Sequence, residues 1–140
     1  MSILNRKLDH INLAVPNIEQ AIRFYTEVLG FEVVNRFKNG MEFVFISDGN
    51  ITYELIENSM LKETTFDHIA YVSEDIKADF DYYNKLGLTT TPLGFVDFVF
   101  KNGVHYFFIK GAGNEKNRIL SERINLYECN FHKTKCQTIY

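Results

Sequence analysis

The tripeptide Asp-His-Ile occurs at residues 9–11 and again at residues 67–69, and each copy opens a similar stretch of sequence. Laid over each other, Leu8-Asp9-His10-Ile11-Asn12-Leu13-Ala14-Val15 matches Phe66-Asp67-His68-Ile69-Ala70-Tyr71-Val72-Ser73. Both runs are short and rich in apolar residues, so each reads as a strand. Alternate residues of a strand share a face, which puts His10, Asn12 and Ala14 on one side and Ile11, Leu13 and Val15 on the other. His68, Ala70 and Val72 share a face in the second copy. A chain that repeats in this way is constrained to build two like units. Each aims one histidine at a common site and anchors its strand through the opposite, bulkier face.

A helix follows in each copy. Asn17 and Asp75 are suited to cap it, and Pro16 discourages an earlier start. Ile18, Ala21, Ile22, Tyr25 and Leu29 recur at helical spacing, as do Ile76, Phe80, Tyr83 and Leu86. Gly30 and Gly87 then fall where a helix C-terminal glycine belongs. The helices differ by one residue, with Val28 lacking a counterpart in the second. Strands are expected over 31–37, 42–47 and 51–57 in the first unit. In the second they are expected over 89–92, 95–101 and 105–110, with a less regular run from about Asn117. Asn39-Gly40, Asp48-Gly49-Asn50, Asn102-Gly103 and the 111–114 segment mark the turns. The repeating unit is thus strand-helix-strand-strand-strand. Used twice, it predicts a single α+β domain over residues 1–140, with module one at about 8–57, module two at about 66–122 and a C-terminal tail at 123–140.

Composition narrows the function. Hydrophobic residues make up 46% of the chain, with 13 Phe, 8 Tyr and no Trp, which suits an aromatic-rich core. Phe43, Phe45, Phe98, Phe100 and Phe107 are read as core or pocket lining. The net charge is −3, and Lys and Arg are scattered among acids, so no basic stripe offers a nucleic-acid face. No apolar run is long enough to span a bilayer, and the N-terminus enters its first strand without a signal-peptide core. A soluble, cytoplasmic protein is expected. Cys129 and Cys136 flank His132, but no fourth ligand and no common zinc spacing accompany them. Two reduced thiols on the tail are the better reading.

His10 and His68 are the chemical centre of the sequence, as contacts to a metal or to a substrate. Neutral imidazole suits borderline divalent ions, and a carboxylate from a neighbouring strand would complete a common donor set. In Tyr53-Glu54-Leu55-Ile56-Glu57, Glu54 sits between bulky apolar residues, where a carboxylate is unusual unless it is paired or ligating. Glu57 is expected to be solvated and His105 to be structural or partly exposed; Asp9 and Asp67 either orient neighbouring groups or, the better reading, simply begin their strands.

These residues resemble the vicinal-oxygen-chelate superfamily, which includes glyoxalase I, extradiol dioxygenases, fosfomycin-resistance transferases and bleomycin-binding proteins. The resemblance is carried by Leu8 to Ile11, Ala21 to Tyr25, Leu29 to Phe31, Tyr53 to Leu55, Phe66 to Ala70 and Phe107 to Gly111. It implies two βαβββ modules in a curved mixed sheet around a cleft. It also implies a divalent metal (Ni, Zn, Mn or Fe) held by His10, Glu54 and His68, and a homodimer with sites at the subunit interface. The glyoxalase-like branch has a fourth ligand, a Glu on the eighth strand that is also implicated in proton transfer. Pairing Ile46 with Ile109, and allowing one extra loop residue, puts Arg118 at that place. Arginine is permanently charged and has no acceptor, so it cannot ligate a cation, but it can bind an anionic substrate. Glu122 would point to the same side as Arg118 about 13 Å further along a regular strand, and would reach the metal only through a bulge or shifted register. The resemblance therefore implies a glyoxalase-like lyase or isomerase that chelates a small oxygenated or thiol-conjugated substrate. The alternative is a metal-free, antibiotic-binding protein of the bleomycin-resistance type.

Overall fold

The computed structural model describes residues 6–97 and 103–123. The tail thiols Cys129 and Cys136, His132, Phe98 and Phe100 lie outside them, as do most of the expected 95–101 strand and nearly all of the tail.

The chain runs β1 (Lys7–Val15), α1 (Ile18–Arg23), β2 (Glu32–Asn39), β3 (Met41–Ser47), β4 (Thr52–Glu57), β5 (Thr65–Val72), α2 (Ile76–Lys85), β6 (Gly94–Val96), β7 (Val104–Lys110) and β8 (Lys116–Leu120). All eight strands form one curved sheet in the order β2-β3-β4-β1-β5-β8-β7-β6. That order is two copies of one pattern meeting at the β1–β5 seam. The sheet is mixed: β1–β4 and β5–β8 are parallel, and the other pairings are antiparallel. Two βαβββ modules are thus present.

The helices start as the sequence indicates. Asn17 Oδ1 accepts from the Gln20 N–H at 2.9 Å, and Asp75 Oδ1 from the Ala78 N–H at 3.1 Å. Gly30 and Gly87 end their segments at φ +77° and +74°, a region costly for any residue with a Cβ. The helix expected to run to Leu29 instead changes at Phe24 into a π-helical turn, Phe24–Val28. A π turn takes up one residue more than an α turn. The residue by which the first copy exceeds the second is accommodated there.

The expected strand at 89–92 is not a strand. Thr89 makes only an isolated bridge to Ile109, and pairing along β7 resumes at Gly94. Pro92 has no N–H to donate, so the ladder that is continuous in β2 is broken here into two pieces.

Both helices pack on one face of the sheet. Val15, Ile18, Phe31, Val44, Ile46 and Leu55 form a core under α1, and Phe107 meets Phe80 and Tyr83 of α2. The other face is not left to solvent. Phe37 and Phe45 from one wing of the curved sheet cluster with Val104 and Leu120 from the other, across the central Ala70. The side of β1 that carries His10 and Asn12 is therefore deeply buried, at 1% and 2% exposure, while Ile11 and Leu13 opposite are only half-buried. Polar residues occupy the drier face, and their partners decide what the fold is for.

Candidate metal centre

The repeated Asp-His pair is a repeated backbone irregularity. On a regular strand, adjacent side chains point to opposite faces. In the β1–β5 ladder, Leu8 pairs with Tyr71 and His10 with Ala70, which leaves Asp9 as an extra residue on β1. Further on, Asn12 pairs with His68 and Leu13 with Phe66, which leaves Asp67 as an extra residue on β5. A bulge of this kind re-aims a side chain. Both aspartates are brought round to their neighbouring imidazoles: Asp9 Oδ2 lies 2.6 Å from His10 Nδ1, and Asp67 Oδ2 lies 2.7 Å from His68 Nδ1. They do more than begin their strands, as the sequence had suggested. Each holds a ring orientation that turns Nε2 inward.

The two Nε2 atoms converge on Glu54. His10 Nε2 is 3.2 Å and His68 Nε2 4.0 Å from Glu54 Oε1. Asn12, two residues beyond His10 on the same face, donates from Nδ2 to that oxygen at 2.7 Å. Its position was legible in the sequence, but its role was not. The imidazoles are held by matching aromatic contacts, with Phe45 edge-on to His10 and Phe108 edge-on to His68, both at 5.4 Å.

His10, Glu54 and His68 each turn one donor atom toward the others, all within 4.8 Å, and they are the group among the described residues that can hold a metal ion. Ligands about 2.0–2.2 Å from a divalent ion are separated by roughly 3 Å or somewhat more, so the trio needs only a slight contraction to fit. The hydrogen bonding supports the fit. His10 Nε2, His68 Nε2, Asn12 Oδ1 and Arg118 Nε are buried and without a hydrogen-bond partner among the described residues. Electrostatics point the same way. Burial alone would depress the pKa of His10, but the hydrogen bond to Asp9 and the charge of the Glu54 carboxylate beside Nε2 overcome it and raise the value from 6.5 to about 9. Burial would likewise raise the pKa of Glu54, but His10, helped by Arg118 and Asn12, lowers it from 4.5 to about 2. Burial dominates at His68 and keeps that imidazole neutral, against the pull of Asp67 and Glu54. Two buried carboxylates around His10 call for positive charge, and without a metal a proton supplies it.

Arg118 lies at the symmetric place. Glu54 is opposite Asn12 across β1–β4, and Arg118 is opposite Ala70 across β5–β8, each two residues past its histidine. The guanidinium carbon sits 4.5 Å from the Tyr106 ring centroid and 5.6 Å from that of Phe108. Glu122 lies exposed beyond the end of β8 and outside the donor group. Glu57 is exposed as expected and accepts from the Ile18 N–H at 3.0 Å, while His105 is exposed against Phe95. The three donors all come from one chain. A depression of about 280 Å³ bordered by Gly30, Glu32, Val34, Ser47, Asp48 and Gly49 is lined by none of these residues.

Residues 7–64 match the family model of the glyoxalase/bleomycin resistance protein/dioxygenase superfamily. The uncharacterized protein YwbC of Bacillus subtilis (strain 168) is 31% identical over 126 residues, which cover 79% of this chain and 93% of that protein. The chain belongs to this superfamily. Mouse mitochondrial methylmalonyl-CoA epimerase is 42% identical over 53 residues, only 36% of this chain and 30% of the epimerase. Among solved structures, a hypothetical protein from Bacillus halodurans C-125 superposes with a TM-score of 0.69 at 20% identity, covering 82% of this chain and 93% of its own. Methylmalonyl-CoA epimerase from Mycobacterium tuberculosis superposes with a TM-score of 0.68 at 18% identity, covering 81% and 85%. At these identities the structures establish the superfamily fold. No helix among the described residues is long and apolar enough to cross a membrane.

Proposed function

We propose that this protein is a metal-dependent lyase or isomerase of the glyoxalase-like group, acting on a small oxygenated or thiol-conjugated substrate that chelates through two neighbouring oxygens. One observation carries the reading. Two buried imidazoles turn unpartnered Nε2 atoms toward the Glu54 carboxylate, while an aspartate engages each Nδ1. Buried donors and acceptors without partners are costly, and one divalent cation satisfies all three residues. His10, Glu54 and His68 would hold Ni, Zn, Mn or Fe. A bound ion of this kind supplies Lewis-acid polarisation of the substrate oxygens.

The remaining residues set what else the site does. Asp9 and Asp67 fix the ring tautomers. Asn12 holds Glu54 in place. Phe45, Phe108 and the apolar roof exclude water, which strengthens each charge interaction inside. Arg118 is the substrate-binding residue, suited to hold an oxygen that carries negative charge. The epimerases among the relatives favour isomerisation over oxygen transfer as the reaction class.

Elemental analysis of freshly purified protein tests the reading. About one Ni, Zn, Mn or Fe per chain is expected, and His10→Ala and His68→Ala should each abolish it. A metal-free wild type, or variants with unchanged metal content, would refute the ligand set. A metal-free protein that bound an aromatic antibiotic would favour the bleomycin-resistance alternative.

A further inference from the structure

Arg118 gives this site an uneven charge. We infer that the site selects an anionic chelator, a small carboxylate with a second oxygen on the adjacent carbon such as a 2-oxo or 2-hydroxy acid, over neutral molecules of the same shape. The inference rests on the metal reading above and specifies its substrate class.

Arg118 stands to His68 as Glu54 stands to His10. A guanidinium in place of a carboxylate makes the site two unit charges more positive than a two-carboxylate site would be. Among the three donors one carboxylate meets a divalent cation directly, with Asp9 and Asp67 set behind the imidazoles, and Arg118 adds a positive charge at the equivalent place in the second half. An incoming anion meets that positive charge directly.

The guanidinium is prepared for that role. Tyr106 and Phe108 lie against it, and stacking of this kind leaves the in-plane N–H edge available. Nε is buried and has no hydrogen-bond partner among the described residues. An unpaired buried donor is costly, and an anionic oxygen in its plane relieves the cost with a charge-assisted bond. Glu54, the nearest compensating carboxylate, is already taken up by Asn12 and faces His10. A neutral diol or hydroxyketone would fill the same space and leave Arg118 Nε without a charge-assisted bond.

Oxalate, a dianion with oxygens on adjacent carbons, and hydroxyacetone, neutral with a comparable bite, separate the possibilities. Equilibrium dialysis of the full chain loaded with Mn²⁺ should show oxalate bound at least about tenfold more tightly than hydroxyacetone. In Arg118→Gln, oxalate affinity should fall on the order of ten- to a hundredfold, while Mn²⁺ is held as well as before or better. Arg118→Glu should hold Mn²⁺ more tightly still and lose oxalate. Equal binding of the two ligands by wild type overturns the inference, as does undiminished oxalate binding by a folded Arg118→Gln. Circular dichroism establishes folding, and Arg118→Met, which keeps an apolar stem against Tyr106 and Phe108, takes the place of Arg118→Gln if that variant does not fold. A wild type that takes up no Mn²⁺ overturns the metal reading and this inference with it, a result distinct from Mn²⁺ uptake without anion preference.

Discussion

Replacing Asp9 by Asn removes a charge from the Nδ1 side of His10 while preserving the shape of the side chain. The same change at Asp67 acts on His68. The two hydrogen bonds are nearly equal in length, at 2.6 and 2.7 Å, but their surroundings differ. The Asp9 side chain is 0% exposed, with Arg123 Nε at 3.8 Å from its other oxygen, whereas that of Asp67 is 28% exposed and shares its charge with Lys116 at the shorter distance of 3.3 Å. A hydrogen bond to a charged group contributes about 1.5–3 kcal/mol. Asp9→Asn should fall toward the upper end of that range, because no solvent screens the pair. Asp67→Asn should cost about 1 kcal/mol or less, since water and Lys116 already attenuate the interaction. Metal affinity should follow the same order, because loss of a group that orients a ligand costs roughly 10–100-fold. Urea unfolding of the metal-free protein would give the stability difference, and chelator competition the affinity. An Asp67→Asn variant that lost as much as Asp9→Asn in both measurements would refute the argument from depth.

Two further outcomes follow from the site and the family. In the metal-free protein, the raised His10 pKa contributes stability that is full below 6.5 and lost as pH rises through about 9. The lowered Glu54 pKa contributes stability that is full above 4.5 and lost as pH falls through about 2, so the pair contributes most between these limits. Metal uptake between pH 6.5 and 9 must expel the His10 proton, and affinity should rise about tenfold per pH unit. Calorimetry in buffers of different ionisation enthalpy would detect that proton, and uptake without proton release would contradict the reading. By family resemblance we expect a homodimer, so sedimentation equilibrium should return twice the chain mass of 16.4 kDa. A monomer at micromolar concentration would exclude it.

The repeat made the modules, both helices and the pair of inward-facing histidines legible, because each depends on spacing along the chain. Arg118 was also legible, since aligning the two copies reproduces the register found in the sheet. The bulges at Asp9 and Asp67 were not. A bulge is defined by which partner residue is skipped, and pairing register is a long-range property. The burial of His10 and Asn12 was not legible for a related reason. Alternation on a strand shows which residues share a face, but the wings that close over this face come from distant strands. Pro92 was a local signal that could have been read, because a missing N–H argues against the strand assigned to 89–92.

The near-twofold frame of the sheet has a stereochemical consequence. Two matching halves would meet a small chelating molecule identically from either side, so such a molecule could seat in two opposite senses. Glu54 and Arg118 occupy the two equivalent positions with opposite charge. A molecule with one charged and one uncharged oxygen then has a single preferred sense of entry and shows one prochiral face to the protein. The pair of residues that unbalances the site would also give it handedness.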